Sequence, residues 1–301
     1  MFKSQNHFNA LVLEKWEAFI DVNIASKRTY SNAVKQFIIY LQDNKIAEPK
    51  RENIMAWRDS LKLKLRATTI QTYLVAVKLF FRWLERENLY KNIADKIKNV
   101  RVEPGHKKDF LTCEQSRDVL NNIKTNTLKG LRDYAMISLM LTTGLRTVEV
   151  TRADIADIRT VNGNKVLFVQ GKGRDDKAEY VKLVPQVENA INIYLKARGD
   201  AQGKEPLFAS ASRNNFGGRI TTRSVRQAAK HAMIQAGYDS DRLTAHSMRH
   251  TAGTLALLNG ANIREVQQLL RHRNINTTMI YAHELERAKN NTEFKIADAI
   301  F

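Results

Sequence analysis

The chain has 301 residues, with 49 Lys and Arg against 31 Asp and Glu, a formal charge of +18 and a pI near 9.9. Its composition, 43% apolar and 27% charged with only 13 Gly and 4 Pro, excludes collagen-like, low-complexity and globally disordered chains. No stretch approaches the ~18 consecutive apolar residues of a membrane span, and the single cysteine, Cys113, excludes an internal disulfide framework or a Cys-based zinc site.

The opening residues, Met1 to Asn9, lack the apolar core of a signal peptide, so the expected location is the reducing cytoplasm. Residues 1–100 carry a net +8 and residues 101–301 a net +10. Excess charge in both halves, rather than in one tail, suggests that each touches a polyanion, with duplex DNA the leading candidate and nucleoid association its consequence.

The first hundred residues predict four helices. Phe8, Leu11, Val12, Trp16, Phe19 and Ile20 recur at helical spacing, as do Tyr30, Val34, Phe37, Ile38 and Leu41 behind a Ser26 cap. Ile54, Trp57 and Leu61 mark a third helix. A fourth, capped by Thr69, carries the stripe Ile70, Tyr73, Leu74, Val77, Phe80, Phe81 and Leu84. Trp16, Trp57, Phe80 and Phe81 are assigned to packing. Residues 101–109, polar, basic and broken by Pro104-Gly105, read as a linker between domains 1–100 and 110–301.

A helical pattern resumes at Thr112, and Leu131 to Leu141 is apolar enough for a buried helix. Periodicity then changes to two. Asp154 to Thr160, Val166 to Gln170 and Tyr180 to Val184 predict three strands, joined through Asn162-Gly163 and Gly171-Lys172-Gly173. Helices return from Thr222. His246 and Arg249, three apart, share a helix face, and Asn262 and Glu265 have capping-box spacing for a short helix ending Leu269-Leu270-Arg271-His272. Tyr281 stands nine residues beyond His272.

Singly, these residues have ordinary explanations. Arg146 with Glu149 has the spacing of a surface ion pair, and Tyr281 could be core. His246 and His272 lack a third ligand at metal spacing. Their joint order is more specific: Thr143-Gly144-Leu145-Arg146 with Glu149, Lys172 between two glycines, His246-x-x-Arg249, His272, and Tyr281 in Thr277-Thr278-Met279-Ile280-Tyr281. In this order the chain resembles the tyrosine recombinase (phage integrase) family over nearly its whole length. The sequence departs from the family pattern at Arg271, where glycine is usual, at Ala245 and at Met248. Arg271 adds charge beside the site, where it would alter rate or DNA contact; its ordinary reading is an exposed phosphate contact or no role.

The resemblance implies a mainly α fold with a small three-stranded antiparallel sheet, α+β in class, arranged as a two-domain DNA clamp with a helical core-binding domain and a catalytic domain. It implies transfer of a DNA phosphate to Tyr281, without ATP or metal, so no cofactor is called for. Arg146 and Arg249 would brace the phosphate, His246 would take a proton, Lys172 would protonate the leaving oxygen and His272 would donate a hydrogen bond. Lys177 competes with Lys172 for its role, and Glu149 would hold its neighbours. Further DNA contacts are expected from Arg219, Arg223, Arg226 and Lys230, the last three spaced on one helix face. The expected partners are double-stranded DNA and a homo-tetramer, or a tetramer shared with a second recombinase, on two DNA sites; the apolar end Phe294 to Phe301 would dock on a neighbouring subunit, with its own domain as the alternative.

Two alternatives use related residues, a type IB topoisomerase and a DNA-binding regulator without catalysis. Length and layout favour a small recombinase like the Xer-type dimer resolvases or those of mobile elements. An additional N-terminal arm-binding domain is not expected.

Overall fold

The computed structural model describes residues 8–101, 109–171, 174, 176–199, 203–289 and 292–301, with backbone alone at 283–289. The chain forms two compact units, 1–104 and 105–301. Most of the expected linker, 102–108, lies outside the described residues.

Four helices build the first unit: α1 (Ala10–Phe19), α2 (Ile24–Asp43), α3 (Arg51–Leu61) and α4 (Ala67–Arg86). Two starts differ from expectation. Asn23, not Ser26, caps α2, because its side-chain oxygen accepts the Ser26 N–H at 3.0 Å and so satisfies a donor of the first turn. Helix α4 begins behind Arg66, which places Thr69 inside the first turn. The predicted stripes bury as expected, with Trp16, Phe37, Trp57, Phe80 and Phe81 at most 2% exposed. Trp16 meets Phe80 edge-on at 5.4 Å and Phe37 meets Trp57 at 5.1 Å. Each such pair adds about 0.5–1.5 kcal/mol beyond burial. Leu11 and Phe19 fall outside this core, and Phe19 lies under the Arg86 guanidinium instead.

In the second unit, Thr112 caps α5 (Cys113–Asn121), and the central helix is α6 (Leu128–Thr143). Ala135, Met136, Ile137, Leu139 and Met140 are fully buried, so α6 is covered around most of its circumference. It ends at Gly144, and α7 (Thr147–Arg152) follows. A sheet β1 (Ile158–Val161), β2 (Asn164–Val169), β3 (Glu179–Lys182) is antiparallel in that order. Asn162 and Gly163 both take positive φ in the tight β1–β2 turn, as an Asn-Gly pair permits. The first strand is shorter than expected, because Ile155–Asp157 forms a 3₁₀ turn in which the Asp157 carboxylate accepts the Asp154 N–H at 2.7 Å.

The sequence reading assigns no element between Val184 and Thr222, yet Pro185–Arg198 is helix α8. Pro185 occupies its first turn, and Val187, Ala190, Ile191 and Tyr194 face the core at helical spacing. The remaining helices are α9 (Thr222–Gln235), α10 (Ala245–Leu258), α11 (Ile263–Leu270), α12 (Asn276–Lys289) and α13 (Thr292–Ile300). Helix α10 ends at Leu258, which is exposed, with Asn259 as its C-cap. Among the described residues no helix is long and apolar enough to cross a membrane.

Candidate active site

Four segments of the second unit converge. The first is the turn after α6. Gly144 is left-handed, with φ 62°, and a Cβ placed there would lie 2.5 Å from Leu270 Cδ2. Glycine therefore serves both the turn and the close approach of α11. The turn delivers Arg146 to the start of α7, where its Nη1 donates to Glu149 Oε1 at 2.9 Å and its backbone N–H donates to Oε2 at 2.8 Å. Glu149 is fully buried, so this is not the surface ion pair that i,i+3 spacing suggests.

The second segment is α10. Arg249 is 1% exposed; it donates through Nη1 to the Gly144 carbonyl at 2.5 Å and through Nη2 to the Leu270 carbonyl. One guanidinium thus ties the ends of α6 and α11. His246, one turn earlier, is exposed.

The third segment is the end of α11. Arg271 takes a left-handed conformation there, with φ 54°, and directs its side chain inward. That side chain is 5% exposed and donates to Glu149 Oε2 at 2.9 Å, which sets aside its ordinary reading as an exposed phosphate contact. His272 follows, with Nδ1 2.9 Å from Thr278 Oγ1.

The fourth is α12, which carries Tyr281, 3% exposed. Its ring lies edge-on to His250 at 4.7 Å and nearly parallel to His272 at 6.3 Å. Gly253 forms the floor, since a Cβ there would stand 2.9 Å from Leu270 and 3.4 Å from Tyr281.

The charges act on one another. Burial, and then the neighbouring Arg146, pull Arg249 down to about 9, which leaves it protonated at neutral pH. Burial of Glu149 favours its neutral form, but Arg271 and Arg146 outweigh it and hold the carboxyl below its ordinary value. Burial, then Arg249, Arg146, Arg271 and His246, push His272 down to about 4, so it is a neutral imidazole at neutral pH. Two cationic side chains next to a neutral donor can meet the negative charge that develops on a phosphate.

Lys172 lies outside the described residues. Gly171 and Arg174, which flank that position in the β2–β3 loop, line a cavity of about 310 Å³ together with Arg146, His272 and Asn274. Lys177 is committed elsewhere: its Nζ lies 2.6 Å from Asp154 and 2.5 Å from Asp157. That double pairing disfavours it as the competing acid.

The four expected DNA contacts separate into two kinds. Arg219 donates to the Thr151 carbonyl at 2.9 Å and to Asp154 at 2.5 Å, and Lys230 pairs with Asp239 at 2.9 Å and with the Ser240 carbonyl at 2.8 Å. Both are engaged within the unit. Arg223 and Arg226 are exposed on α9. Several contributors to the site escape the sequence reading: Thr278 beside His272, His250 and Gly253 around Tyr281, and the inward course of Arg271. A hydroxyl six residues after a histidine, or a glycine inside a helix, carries no pattern of its own.

Comparison with known proteins bears on the whole chain. The sequence profile of the phage integrase family matches residues 109–287, and that of the phage integrase N-terminal SAM-like domain matches residues 20–88. Tyrosine recombinase XerC of Lactobacillus delbrueckii subsp. bulgaricus is 31% identical over 227 residues, 73% of each chain. Tyrosine recombinase XerD of Oceanobacillus iheyensis is 29% identical over 267 residues, 85% of this chain and 86% of that one. The fold is that of XerH site-specific recombinase in its post-cleavage complex with difH (TM-score 0.74, 21% identity, 94% of this chain and 83% of that one). It is also that of a lambda integrase dimer on a core site (TM-score 0.69, 14% identity, 88% and 95%). The chain belongs to the phage integrase family and is a tyrosine recombinase, a site-specific enzyme that cleaves and rejoins DNA.

Proposed function

We propose that Tyr281 is the nucleophile and that Arg146, Lys172, His246, Arg249 and His272 complete the reaction. The Tyr281 phenolic oxygen attacks the scissile phosphate, a 3′-phosphotyrosyl bond forms, and the bond from phosphorus to the 5′ oxygen breaks. His246 accepts the phenolic proton, and Lys172 supplies the proton that turns the leaving oxygen into a 5′ hydroxyl. A 5′ hydroxyl of a partner strand reverses the step. Bond energy is kept in the covalent intermediate, so ligation draws on no external energy source.

The observation that carries this reading is the convergence of Arg146, Arg249, His272 and Tyr281 around the end of α11, from segments far apart in sequence. The test uses a nicked suicide DNA built on the sequence that crosslinks to Tyr281→Phe protein. Wild type should form a covalent adduct and Tyr281→Phe none; absence of adduct with wild type would favour a non-catalytic regulator. Lys172→Ala should lose cleavage but regain it when the 5′ bridging oxygen is sulfur, because a thiolate leaves without protonation. Rescue of Lys177→Ala alone would move the role to Lys177.

The finer partner reading is a homo-tetramer on two DNA sites, with Arg223 and Arg226 among the DNA contacts and both basic units on the duplex. Helix α13 supports it: Phe294, Ile296, Ile300 and Phe301 are all more than half exposed, an apolar end that a neighbouring subunit would cover. A lambda integrase, similar in fold, is known as a tetramer on a Holliday junction. Deleting residues 292–301 should leave a folded protein that binds one half-site but forms synaptic complexes poorly. Normal recombination by the truncated protein would remove this role.

A further inference from the structure

Arg271 occupies a backbone position that favours glycine. Its φ of 54° and ψ of 46° lie in the left-handed region, where a long side chain costs free energy that glycine avoids. A strained residue at the rim of an active site invites the question of what its side chain does.

The side chain has a defined course. It folds back over the end of its own helix, with Nη1 donating to the Leu269 carbonyl at 2.7 Å and Nη2 donating to Glu149 Oε2 at 2.9 Å. The next carbonyl, that of Leu270, accepts from Arg249. Two guanidinium groups therefore sit on consecutive carbonyls at the negative end of α11, where the helix leaves acceptors without partners of its own. One of them reaches 122 residues back along the chain to the buried carboxylate that orients Arg146.

Glu149 receives three hydrogen bonds: Arg146 Nη1 on one oxygen, and the Arg146 N–H and Arg271 Nη2 on the other. A fully buried carboxylate facing Arg146 alone would spend its charge on that guanidinium and draw it away from a phosphate. With Arg271 on the second oxygen, the negative charge is shared, and the turn bearing Arg146 is fastened to the segment bearing His272.

We propose that Arg271 is a positioning residue for DNA cleavage, which divides the Glu149 carboxylate with Arg146 and so keeps Arg146 fixed and available to the scissile phosphate. This rests on the role assigned to Arg146 above. A glycine would hold the same turn without strain; in this chain the strain is retained together with a second guanidinium on the same carboxylate.

The test is single-turnover adduct formation on the suicide DNA by wild type, Arg271→Gly, Arg271→Lys, Glu149→Gln and the Arg271→Gly/Glu149→Gln double variant, with thermal denaturation and half-site binding measured in parallel. Arg271→Gly relieves the backbone, so it should melt no lower than wild type and bind the half-site within about threefold, since affinity is spread over many phosphate contacts. Its adduct should form about 10- to 100-fold more slowly, the loss typical of removing a group that orients a reacting one. Arg271→Lys should recover part of the rate, and the double variant should be no slower than the slower single variant, because both act through one carboxylate. Arg271→Asn, which tolerates left-handed backbone, is the second variant should Arg271→Gly melt low, and the same rate loss is expected of it. Cleavage by Arg271→Gly within about twofold of wild type, or a double variant whose losses add in full, would overturn the proposal. No adduct with wild type would remove the reading of Tyr281 itself and the proposal with it, and that failure is visible before any variant is compared.

Discussion

The two units bury different kinds of side chain. In residues 1–104 the largest buried groups are aromatic, Trp16, Phe37, Trp57, Phe80 and Phe81, and they pack by shape and area. In residues 105–301 the buried set includes Arg249, Glu149 and the Arg271 side chain, groups that normally stay in water unless paired. An apolar core tolerates loss in proportion to the volume removed. A buried charge cluster fails when the member that leaves was the sole partner of another buried group, because that group is then stranded. The first unit is built for stability, whereas the second spends stability on holding cations at the site proposed to receive a phosphate.

The contrast is sharpest at the arginines. Arg146→Ala and Arg249→Ala should each slow adduct formation by about 10²–10³-fold or more while most DNA affinity remains. They should differ in stability. Arg249→Ala strands the Gly144 and Leu270 carbonyls and should cost roughly 1–3 kcal/mol for each buried acceptor left unpaired, whereas Arg146→Ala leaves Glu149 with Arg271 and should melt close to wild type. Near wild-type cleavage by either variant would remove that arginine from the site.

The reverse experiment belongs to the first unit. Trp57→Ala should destabilise it by about 3–5 kcal/mol, since a fully packed ring leaves a cavity. If the units differ as argued, melting should split, with the second unit unfolding at its wild-type temperature. A single shared transition lowered as a whole would mean that the two are energetically one.

Acid should separate the units more gently. The folded second unit holds His272 at about 4, below its ordinary 6.5, so the unfolded chain takes up a proton that the folded site refuses. That stability is complete above about pH 6.5 and is lost as pH falls towards 4, by about 1 kcal/mol once the screening of a half-buried group is allowed for. His272→Gln should flatten this slope. An unchanged slope would place the acid sensitivity elsewhere, with Glu149 the next candidate.

The same contrast governs how much is legible in sequence. Period and composition reveal the four helices of the first unit, the buried α6, the Asn162-Gly163 turn and the Asn262 cap, because each depends on neighbours within a few residues. The order of Arg146, His246, Arg249, His272 and Tyr281 is legible as a family resemblance. Spacing could not show that Arg219 and Lys230 are occupied by Asp154 and Asp239, nor that Arg271 turns inward, since these outcomes depend on partners distant in the chain. Helix α8 carries its period in Val187, Ala190, Ile191 and Tyr194, but the preceding strand and Pro185 mask its start in the sequence.

The hydrogen bond between Thr278 and His272 joins two things usually treated apart. Thr278 lies one helical turn before Tyr281, so the helix that presents the proposed nucleophile also holds one nitrogen of the imidazole and helps set which tautomer it adopts. Any displacement of α12 that carries the tyrosine towards or away from DNA must stretch or break that bond. The ring of His272 is thus a gauge built into the enzyme: its nitrogen resonances in labelled protein would register the position of the tyrosine on each DNA substrate, without a probe attached to Tyr281 itself.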